Sequence, residues 1–316
     1  MAGVAFLFPG QGSQKVGMGA ELLLGEGELL TAYLAQADAA SGQSIRRLML
    51  EGPIEALTRT EVAQPALFCV ALAVADAARA RGVEPDFVVG HSLGEYTAAC
   101  GAGAISVEDG IELVSLRGRL MGEIGDERPG AMAAIIGLDA DTLGGLCERA
   151  SDDGLVTLAN INSPTQIVVS GESDGVARLM QLADEAGAAR VVPLQVAAAF
   201  HSELMKPVQE QMADAVQDVA WSDPRVPVAV NARGGLVHDA ESLRAALVEQ
   251  IASPVRFVEC VQALSDAGAE TFLEVGPGRV LGGLVRQILP GADVFSADAP
   301  LRLEEFAETH PAAVRH

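Results

Sequence analysis

The pattern of apolar and polar positions predicts an α/β protein built around buried strands. An apolar run at residues 4–8 stops at Pro9-Gly10-Gln11-Gly12, which predicts a buried strand ending in a tight loop. An Ala-rich helix is predicted over residues 65–81, followed by a strand at residues 86–89 and a second helix that begins at Ser92. In open α/β sheets, ligands bind at the loops that follow such strands.

Between residues 129 and 194 the pattern changes to short alternating units. The order of predicted elements is β-α-β-β-α-β, which is the ferredoxin-like arrangement. Since such a unit is complete in itself, we expect a small domain inserted into a larger one. The strands are expected near residues 131–136, 155–160, 166–170 and 190–193, and the helices near residues 141–150 and 173–186.

The larger domain is therefore expected to be discontinuous, comprising residues 1–128 and 195–316. Its second part is predicted to hold a helix near residues 204–219, a strand at 226–231, a helix at 240–251 and a strand at 271–275. The final segment, residues 297–316, shows no clear core pattern, so we expect a surface tail there.

Charge narrows the class of function. The formal net charge is −22, and Lys15 and Lys206 are the only lysines. Binding to nucleic acid or to an anionic membrane depends on clustered Lys and Arg, so neither is expected. An acidic protein can still bind a polyanion such as coenzyme A where a few arginines line one cleft.

The other compositional signals predict a cytoplasmic protein without a cofactor. The four cysteines are widely separated, with no CxxC pair and no neighbouring histidine, which predicts buried thiols and no metal site. No stretch approaches about 18 unbroken apolar residues, and no basic region precedes the apolar start, so neither a membrane span nor a signal peptide is predicted. No Walker lysine or full GxGxxG occurs.

Gly90-His91-Ser92-Leu93-Gly94 matches the GxSxG pattern of a nucleophilic serine. In that pattern the serine lies on a strained turn between a strand and a helix, and the helix N-terminus favours developing negative charge. The alternative is a Gly-rich turn with a helix-capping serine. The predicted strand before the motif and the helix after it favour the nucleophile.

A serine hydroxyl needs a neighbouring base, and the chain has five histidines. His201 follows the small apolar run 196–200 and precedes a helix, so it can enter a cleft from another segment. A lone histidine is nevertheless more often structural. The other histidines are less suitable by position. His91 adjoins the serine, but neighbouring side chains on such a sharp turn point in different directions. His238 lies in a polar turn, and His310 and His316 lie in the predicted tail.

Several ordered motifs together resemble the malonyl-CoA:acyl carrier protein transacylases of fatty acid and polyketide synthesis. The resemblance runs from residue 4 to about residue 290 and is carried by Phe8-Pro9-Gly10-Gln11-Gly12-Ser13-Gln14, Gly90-His91-Ser92-Leu93-Gly94-Glu95-Tyr96, Arg117-Gly118-Arg119-Leu120-Met121, Asn160-Ile161-Asn162-Ser163-Pro164, Ala199-Phe200-His201-Ser202, residues 250–257 and Glu274-Val275-Gly276-Pro277-Gly278.

This resemblance implies a fold and a set of site residues. The fold class is α/β, with an α/β-hydrolase-like large domain, a ferredoxin-like small domain and an active site between them. Ser92 is implied to carry the acyl group as an ester, with His201 as base oriented by the backbone carbonyl of Gln250. The backbone N–H groups of Gln11 and Leu93 are implied to form the oxyanion hole.

The same resemblance assigns substrate selection to Arg117, which can pair bidentately with the free carboxylate of a malonyl group. Arg119 is expected on the surface. Phe200 resembles the bulky residue of malonyl-selective members, where it leaves little space for an α-methyl branch. Asn162 is expected either to contact the thioester or to order the edge of the small domain, and the structural role is favoured.

The predicted function is therefore transfer of a malonyl group from malonyl-CoA, a substrate rather than a cofactor, to the phosphopantetheine thiol of a holo acyl carrier protein. Arg279 and Arg286 are candidates for a basic patch facing that acidic partner. Two alternatives stay open: a proofreading acyl hydrolase, and a docking module without catalysis. The sequence leaves open whether the protein serves fatty acid or polyketide synthesis, how strictly it excludes methylmalonyl groups, and which oligomeric state it has.

Overall fold

A computed structural model describes residues 3–25, 27–196 and 198–315. Within those residues the strands are β1 Gly3–Phe8, β2 Phe87–Gly90, β3 Ala131–Ile136, β4 Val156–Ser163, β5 Gln166–Gly171, β6 Arg190–Pro193, β7 Val228–Val230, β8 Gly235–Val237, β9 Ala269–Val275 and β10 Asp293–Ala297.

The α-helices in the same residues are α1 Ala20–Gly25, α2 Glu28–Ser41, α3 Ile45–Glu51, α4 Ile54–Thr58, α5 Thr60–Ala80, α6 Gly94–Gly101, α7 Val107–Glu127, α8 Ala140–Ala150, α9 Ser173–Glu185, α10 Lys206–Gln217, α11 Ala240–Glu249, α12 Phe257–Asp266, α13 Val280–Ile288 and α14 Pro300–Thr309. Short 3₁₀ turns cover Glu203–Met205, Gln250–Ala252 and Pro311–Ala313.

The larger sheet has six strands in the order β10-β9-β1-β2-β7-β8. All neighbouring pairs are parallel except β7 and β8. The carboxyl ends of β1, β2, β7 and β9 consequently meet at one edge, where the loops after Phe8, Gly90, Val230 and Val275 lie side by side. That edge is where an open α/β sheet binds its ligands.

Helices cover both faces of this sheet, and β1 shows how the sequence divides between them. Phe6 and Phe8 pack into the cluster that includes α2, α5 and α7, whereas Ala5 and Leu7 face the cluster formed by α12 and α13. Successive side chains of a strand point to opposite faces, so a strand that is buried on both sides is apolar throughout.

Helix α5 is the central helix of the first cluster. It begins at Thr60 rather than at Pro65, where the sequence predicted its start, so Pro65 lies inside the helix. This helix is long and apolar enough to cross a membrane, but 89% of its apolar 18-residue stretch is buried within the protein. It is accordingly a core helix.

The smaller sheet is antiparallel, with strand order β4-β5-β3-β6. Helices α8 and α9 pack on it through an apolar core that includes Ile135, Leu143, Ile167 and Leu179. The element order β-α-β-β-α-β is the ferredoxin-like one, and with the parallel sheet it confirms the predicted fold class. The division into domains at residues 129 and 194 stays a prediction.

A short backbone bridge joins the two sheets. Val255, which follows the 3₁₀ turn Gln250–Ala252, donates its N–H to Ala159 O (2.8 Å) and accepts from Ile161 N (2.8 Å) on β4. Arg256 N in turn donates to Asn231 O after β7 (3.0 Å). The segment that carries Gln250 is thus fixed to both sheets.

The prediction of a surface tail at residues 297–316 is wrong over most of that range. Strand β10 ends at Ala297 and helix α14 follows, with Leu303 and Phe306 fully buried. Arg315 N donates to Gly82 O (2.8 Å) and so fixes this segment to the turn after α5. The apolar positions of α14 are few, so their periodicity was too weak to predict the helix. His316 lies outside the described residues.

Candidate active site

Ser92 lies on a sharp turn between β2 and α6. Its φ is 52°, and Ser92 and His201 (φ 58°) are the non-glycine residues with positive φ in the described chain. Such conformations cost about 1–3 kcal/mol each and persist only where the surroundings enforce them. Helix α6 therefore begins at Gly94, two residues after the predicted start at Ser92.

The glycines of the motif allow the backbone to approach closely. A Cβ on Gly90 would lie 1.8 Å from the carbonyl carbon of Gly94, and one on Gly94 would lie 2.1 Å from Phe8 O. Gly10 is equally restricted, because its Cβ would meet His91 O at 2.3 Å. The loop after β1 and the turn after β2 can touch only because these three residues lack side chains.

His201 connects the serine to a backbone carbonyl. Its Nε2 lies 2.8 Å from Ser92 Oγ, and its Nδ1 lies 2.9 Å from Gln250 O. A carbonyl can only accept, so Nδ1 carries the proton of the neutral ring and Nε2 has the lone pair. The Ser92 hydroxyl consequently donates to Nε2, which is the arrangement of a nucleophile with its base.

The surroundings keep this histidine uncharged. Burial lowers the pKa of His201 to about 3, and the Arg117 charge acts in the same direction. The hydrogen bond to Gln250 opposes the shift without reversing it. At neutral pH the ring is therefore free to accept a proton.

Arg117, on α7, is buried at 1% exposure and points at the serine. Its Nη2 donates to Ser92 Oγ (3.1 Å) and to Gln250 Oε1 (2.8 Å), while Nη1 donates to Gln64 Oε1 (2.9 Å). The guanidinium also lies over the Tyr96 ring, 5.4 Å from its centroid. Among the described residues, no group accepts from its buried Nε.

Two buried amide side chains hold the backbone of Ser92 from either side. Asn231 Oδ1 accepts from Ser92 N (2.8 Å), and its Nδ2 donates to Gly90 O (2.8 Å). Gln250 Nε2 donates to Ser92 O (2.9 Å). Residues 92 and 231 follow neighbouring strands, so the parallel sheet itself brings them together.

Glu95, in the first turn of α6 and three residues after the serine, is fully buried. Its Oε2 accepts from Asn231 N and from Gln250 Nε2, both at 3.0 Å. Burial raises the pKa of Glu95 to about 8. Sequence reasoning assigned no role to Glu95, Asn231 or Gln64, although Glu95 stands inside a motif and Asn231 ends a predicted strand.

Asn162 and Phe200 connect the smaller sheet and the loop before His201 to this centre. Asn162 Oδ1, on β4, lies 2.7 Å from His91 Nε2, so the neutral His91 ring donates to it. Phe200 is buried and lines a cleft of 560 Å³ together with Gln11, Met121 and Val196. The structure brings both residues to the edge of the site.

The backbone N–H groups of Gln11 and Leu93 are free of hydrogen-bond acceptors within the described chain. Gln11 follows Gly10 in the loop after β1, and Leu93 immediately follows the serine at the start of α6. Each group is thus available to an incoming oxygen.

The remaining candidates lie away from Ser92. Arg119 is exposed and pairs with Glu123 at 3.2 Å, as expected of a surface residue. His238 is exposed, and His310 stacks on Phe306. Arg279 and Arg286 are exposed on α13 and at its start. The described residues contain no cluster of three or more His, Cys, Asp or Glu able to hold a metal ion.

Comparison with known proteins identifies the same family across the chain. A model of the acyl transferase domain family matches residues 5–297. A malonyl CoA-acyl carrier protein transacylase of Bacillus subtilis (strain 168) is 41% identical over 313 residues, covering 98% of each protein.

Solved structures agree with that match. The malonyl-CoA:acyl carrier protein transacylase of Xanthomonas oryzae pv. oryzae gives a TM-score of 0.93 at 38% identity over 98% of both chains. A malonyl-transacylase in complex with a type II polyketide synthase acyl-carrier protein gives a TM-score of 0.93 at 36% identity, covering 98% of this chain and 100% of that one.

Proposed function

Because this chain belongs to the acyl transferase domain family, we propose that it transfers a malonyl group from malonyl-CoA to the phosphopantetheine thiol of a holo acyl carrier protein. One observation carries the proposal. Ser92 Oγ lies 2.8 Å from a neutral, backbone-anchored histidine and 3.1 Å from a buried arginine. The first contact serves acyl transfer, and the second serves an acyl group that carries a carboxylate.

In the first half-reaction Ser92 Oγ attacks the thioester carbonyl while His201 Nε2 takes the hydroxyl proton. The C–S bond then breaks, and the same proton passes from His201 to the departing coenzyme A sulfur. Ser92 is left as a malonyl ester. In the second half-reaction the carrier-protein thiol gives its proton to His201 and attacks that ester, and the proton returns to Ser92 Oγ.

Each attack forms a tetrahedral oxyanion that needs hydrogen-bond donors. The free backbone N–H groups of Gln11 and Leu93 are the proposed donors, one from the loop after β1 and one from the start of α6. Loss of a single oxyanion donor typically costs about 3–4 kcal/mol in the barrier.

Arg117 is the proposed partner of the malonyl carboxylate. Its buried Nε–H lacks an acceptor among the described residues, and the Nη2–H directed at Ser92 Oγ can turn to a second oxygen. A guanidinium binds a carboxylate through two parallel hydrogen bonds. An acetyl group would leave the buried cation without that partner, which disfavours acetyl-CoA.

Phe200 and Asn162 have supporting roles in this proposal. Phe200 narrows the cleft beside Gln11 against an α-methyl branch, a discrimination worth only about 1–3 kcal/mol. Asn162 holds the His91 ring and so steadies the loop on which Ser92 lies. Arg279 and Arg286 are proposed to face the acidic carrier protein.

Exchange of an acyl group between two thiols is neither a redox step nor an energy-requiring one, so coenzyme A is proposed to enter as part of the substrate, with no cofactor. The proposed location is the cytoplasm, where the relatives of this chain in bacterial fatty acid synthesis would find malonyl-CoA.

The deciding experiment measures the intact mass of the protein after brief mixing with malonyl-CoA, followed by addition of a holo carrier protein. We expect a malonyl adduct that Ser92→Ala abolishes and that moves to the carrier protein. Rapid release of free malonate without transfer would indicate a hydrolase instead, and no adduct at all would indicate a docking module.

A matched pair of arginine variants tests the carboxylate assignment in the same assay. Arg117→Ala should reduce malonylation at least about 100-fold relative to acetylation, because a buried bidentate pair is lost. Arg119→Ala, two residues along the same helix and exposed, should leave the ratio unchanged. Equal losses for both thioesters in Arg117→Ala would assign the arginine to the serine alone.

A further inference from the structure

Glu95 is a buried carboxyl group that contacts neither of the reacting residues directly. It accepts through Oε2 alone, from Asn231 N and Gln250 Nε2. Its Oε1 has no hydrogen-bond partner among the described residues. A buried carboxyl group with one unsatisfied oxygen is costly, so its presence near the nucleophile calls for a physical reason.

The Gln250 amide connects this carboxyl group to the substrate-binding arginine. Both Nε2 hydrogens are used, one by Glu95 Oε2 and one by Ser92 O, and Oε1 accepts from Arg117 Nη2. Because both N–H donors and the oxygen of the amide are engaged, these bonds select one orientation of the side chain. The orientation that Glu95 imposes on Gln250 is the one that presents an oxygen to Arg117.

We propose that Glu95 is a positioning residue for carboxylate recognition: it fixes Arg117 through the Gln250 amide, and its own ionisation competes with the substrate carboxylate for that arginine. The inference rests on the proposed function, because it needs a substrate that carries a carboxylate to Arg117. It adds a proton-dependent control of substrate affinity from a residue that does not contact the substrate.

The charged and titratable groups that face Glu95 from neighbouring helices are Arg117 of α7, Glu249 of α11 and Cys260 of α12, together with Tyr96 on α6 itself. Strands β1, β2 and β7 carry no titratable residue. The Cys69, Asp76 and Arg79 side chains of α5 lie at the far end of α6, near Cys100.

Glu95 is the buried member of this group whose charge changes between pH 6.5 and 9. Burial raises its pKa to about 8, against the opposing effects of its two hydrogen bonds and Arg117. His201 stays neutral with its pKa near 3, burial holds the pKa of Tyr96 at about 12, and Arg117 stays cationic. Burial also raises the pKa of the Cys260 thiol far above this range.

The direction of the effect follows from these charges. Below pH 8 Glu95 is mostly protonated, and the Arg117 charge is available to the malonyl carboxylate. As the pH rises through about 8, Glu95 becomes negative, partly neutralises Arg117 and repels the substrate carboxylate. By linkage, binding of malonyl-CoA above pH 8 should draw a proton onto Glu95.

The test measures binding by titration calorimetry in a Ser92→Ala background, which cannot be acylated. Malonyl-CoA and acetyl-CoA are compared at pH 6.5 and pH 9, so that titration of the coenzyme A moiety cancels. We expect malonyl-CoA to lose about three- to tenfold more affinity than acetyl-CoA over this range. Adding Glu95→Gln should abolish that difference by keeping the tight affinity at both pH values.

Glu274→Gln is the matched control, because Glu274 is also fully buried and accepts from backbone N–H groups, but on β9 beside α13. It should keep the pH-dependent difference. The same difference persisting in Glu95→Gln would overturn the proposal, as would its absence from the Ser92→Ala protein itself, a result that does not depend on folding of the Glu95 variant.

A kinetic comparison separates positioning from general stability. Glu95→Ala leaves two buried donors unsatisfied and frees the Gln250 amide, so single-turnover malonylation of Ser92 should slow about tenfold or more. Glu95→Gln offers the same acceptor oxygen and should restore the rate to within about threefold. Failure of this rescue in a folded Glu95→Gln protein would refute the positioning role. If the wild-type protein is not malonylated at all, the proposed function fails instead.

Discussion

At the carboxyl edge of the large sheet, buried polar side chains bond to one another and to the backbone of Ser92. Gln250, Asn231 and Glu95 form that network. The small sheet instead encloses an apolar core with α8 and α9. Two buried polar residues of its strand β4 bond outward, Asn162 to His91 and Ser163 to Gln287.

The backbone differs between the two regions in the same way. The strained φ values of Ser92 and His201 both belong to the edge of the large sheet, whereas residues 131–193 contain no non-glycine residue with positive φ. Strain is maintained where a dense network over-determines the conformation. The comparison indicates that the large sheet's edge is built for chemistry, and the small sheet for support.

The largest effect is expected from removing the base. His201→Ala should slow single-turnover malonylation of Ser92 by about 10²–10⁴-fold, because the hydroxyl loses its proton acceptor. Quenched-flow mass measurement of the acyl-enzyme gives the rate. His238→Ala, an exposed histidine in the same part of the chain, should leave the rate unaltered. A His201→Ala protein that acylates at the normal rate would contradict the assignment of the base.

The next largest effect is expected from Gly90, which lies in the sharp turn that carries Ser92. In Gly90→Ala the new Cβ would lie 1.8 Å from the Gly94 carbonyl carbon, and neither backbone can move without breaking the network around Ser92. We expect a loss of about 3 kcal/mol or more in the free energy of unfolding, measured by urea denaturation. Normal stability in this variant would show that the turn can relax and is less constrained than its geometry implies.

A smaller effect should follow from the contact that joins the two regions. Asn162→Ala removes the acceptor of His91 Nε2, and a lost hydrogen bond of a buried group typically costs about 1–3 kcal/mol. We expect a similar loss of stability and roughly tenfold slower acylation. The control is Ser170→Ala on β5, since the buried Ser170 hydroxyl has no partner in the described chain. This variant should change neither the stability nor the acylation rate. Unchanged acylation in Asn162→Ala would confine Asn162 to the small sheet.

The two regions also differ in how far the sequence predicted them. The boundaries of the strands and helices in residues 131–193 were predicted to within three residues, because each element has its own apolar periodicity. At the large sheet, β1 and the turn after β2 followed from apolar runs that end in glycine. The motifs shared with the family then identified Ser92, His201 and Arg117 as a set, and the structure places Ser92 Oγ 2.8 Å from His201 Nε2 and 3.1 Å from Arg117 Nη2.

What the sequence did not reveal is the network that connects them. Asn231 is 139 residues from Ser92 and Gln250 is 155 residues from Glu95 in the chain, and no periodicity reports contacts at such separations. Gln250 was predicted only through its backbone carbonyl, whereas its side chain joins Glu95 to Arg117. Helix α14 was missed for a different reason, since only Leu303 and Phe306 mark its buried face.

The smallest effect, and one of opposite sign, is expected in the small sheet's helix α8. Gly145 is exposed within that helix, and a Cβ there would meet nothing within 4 Å. Gly145→Ala should therefore raise the free energy of unfolding by about 0.5–1 kcal/mol, because alanine loses less backbone entropy on folding. Urea denaturation measures the change, and Ser92 acylation should stay at the wild-type rate. Destabilisation, or slower acylation, would show that α8 is coupled to the chemistry and would undo the contrast with Gly90.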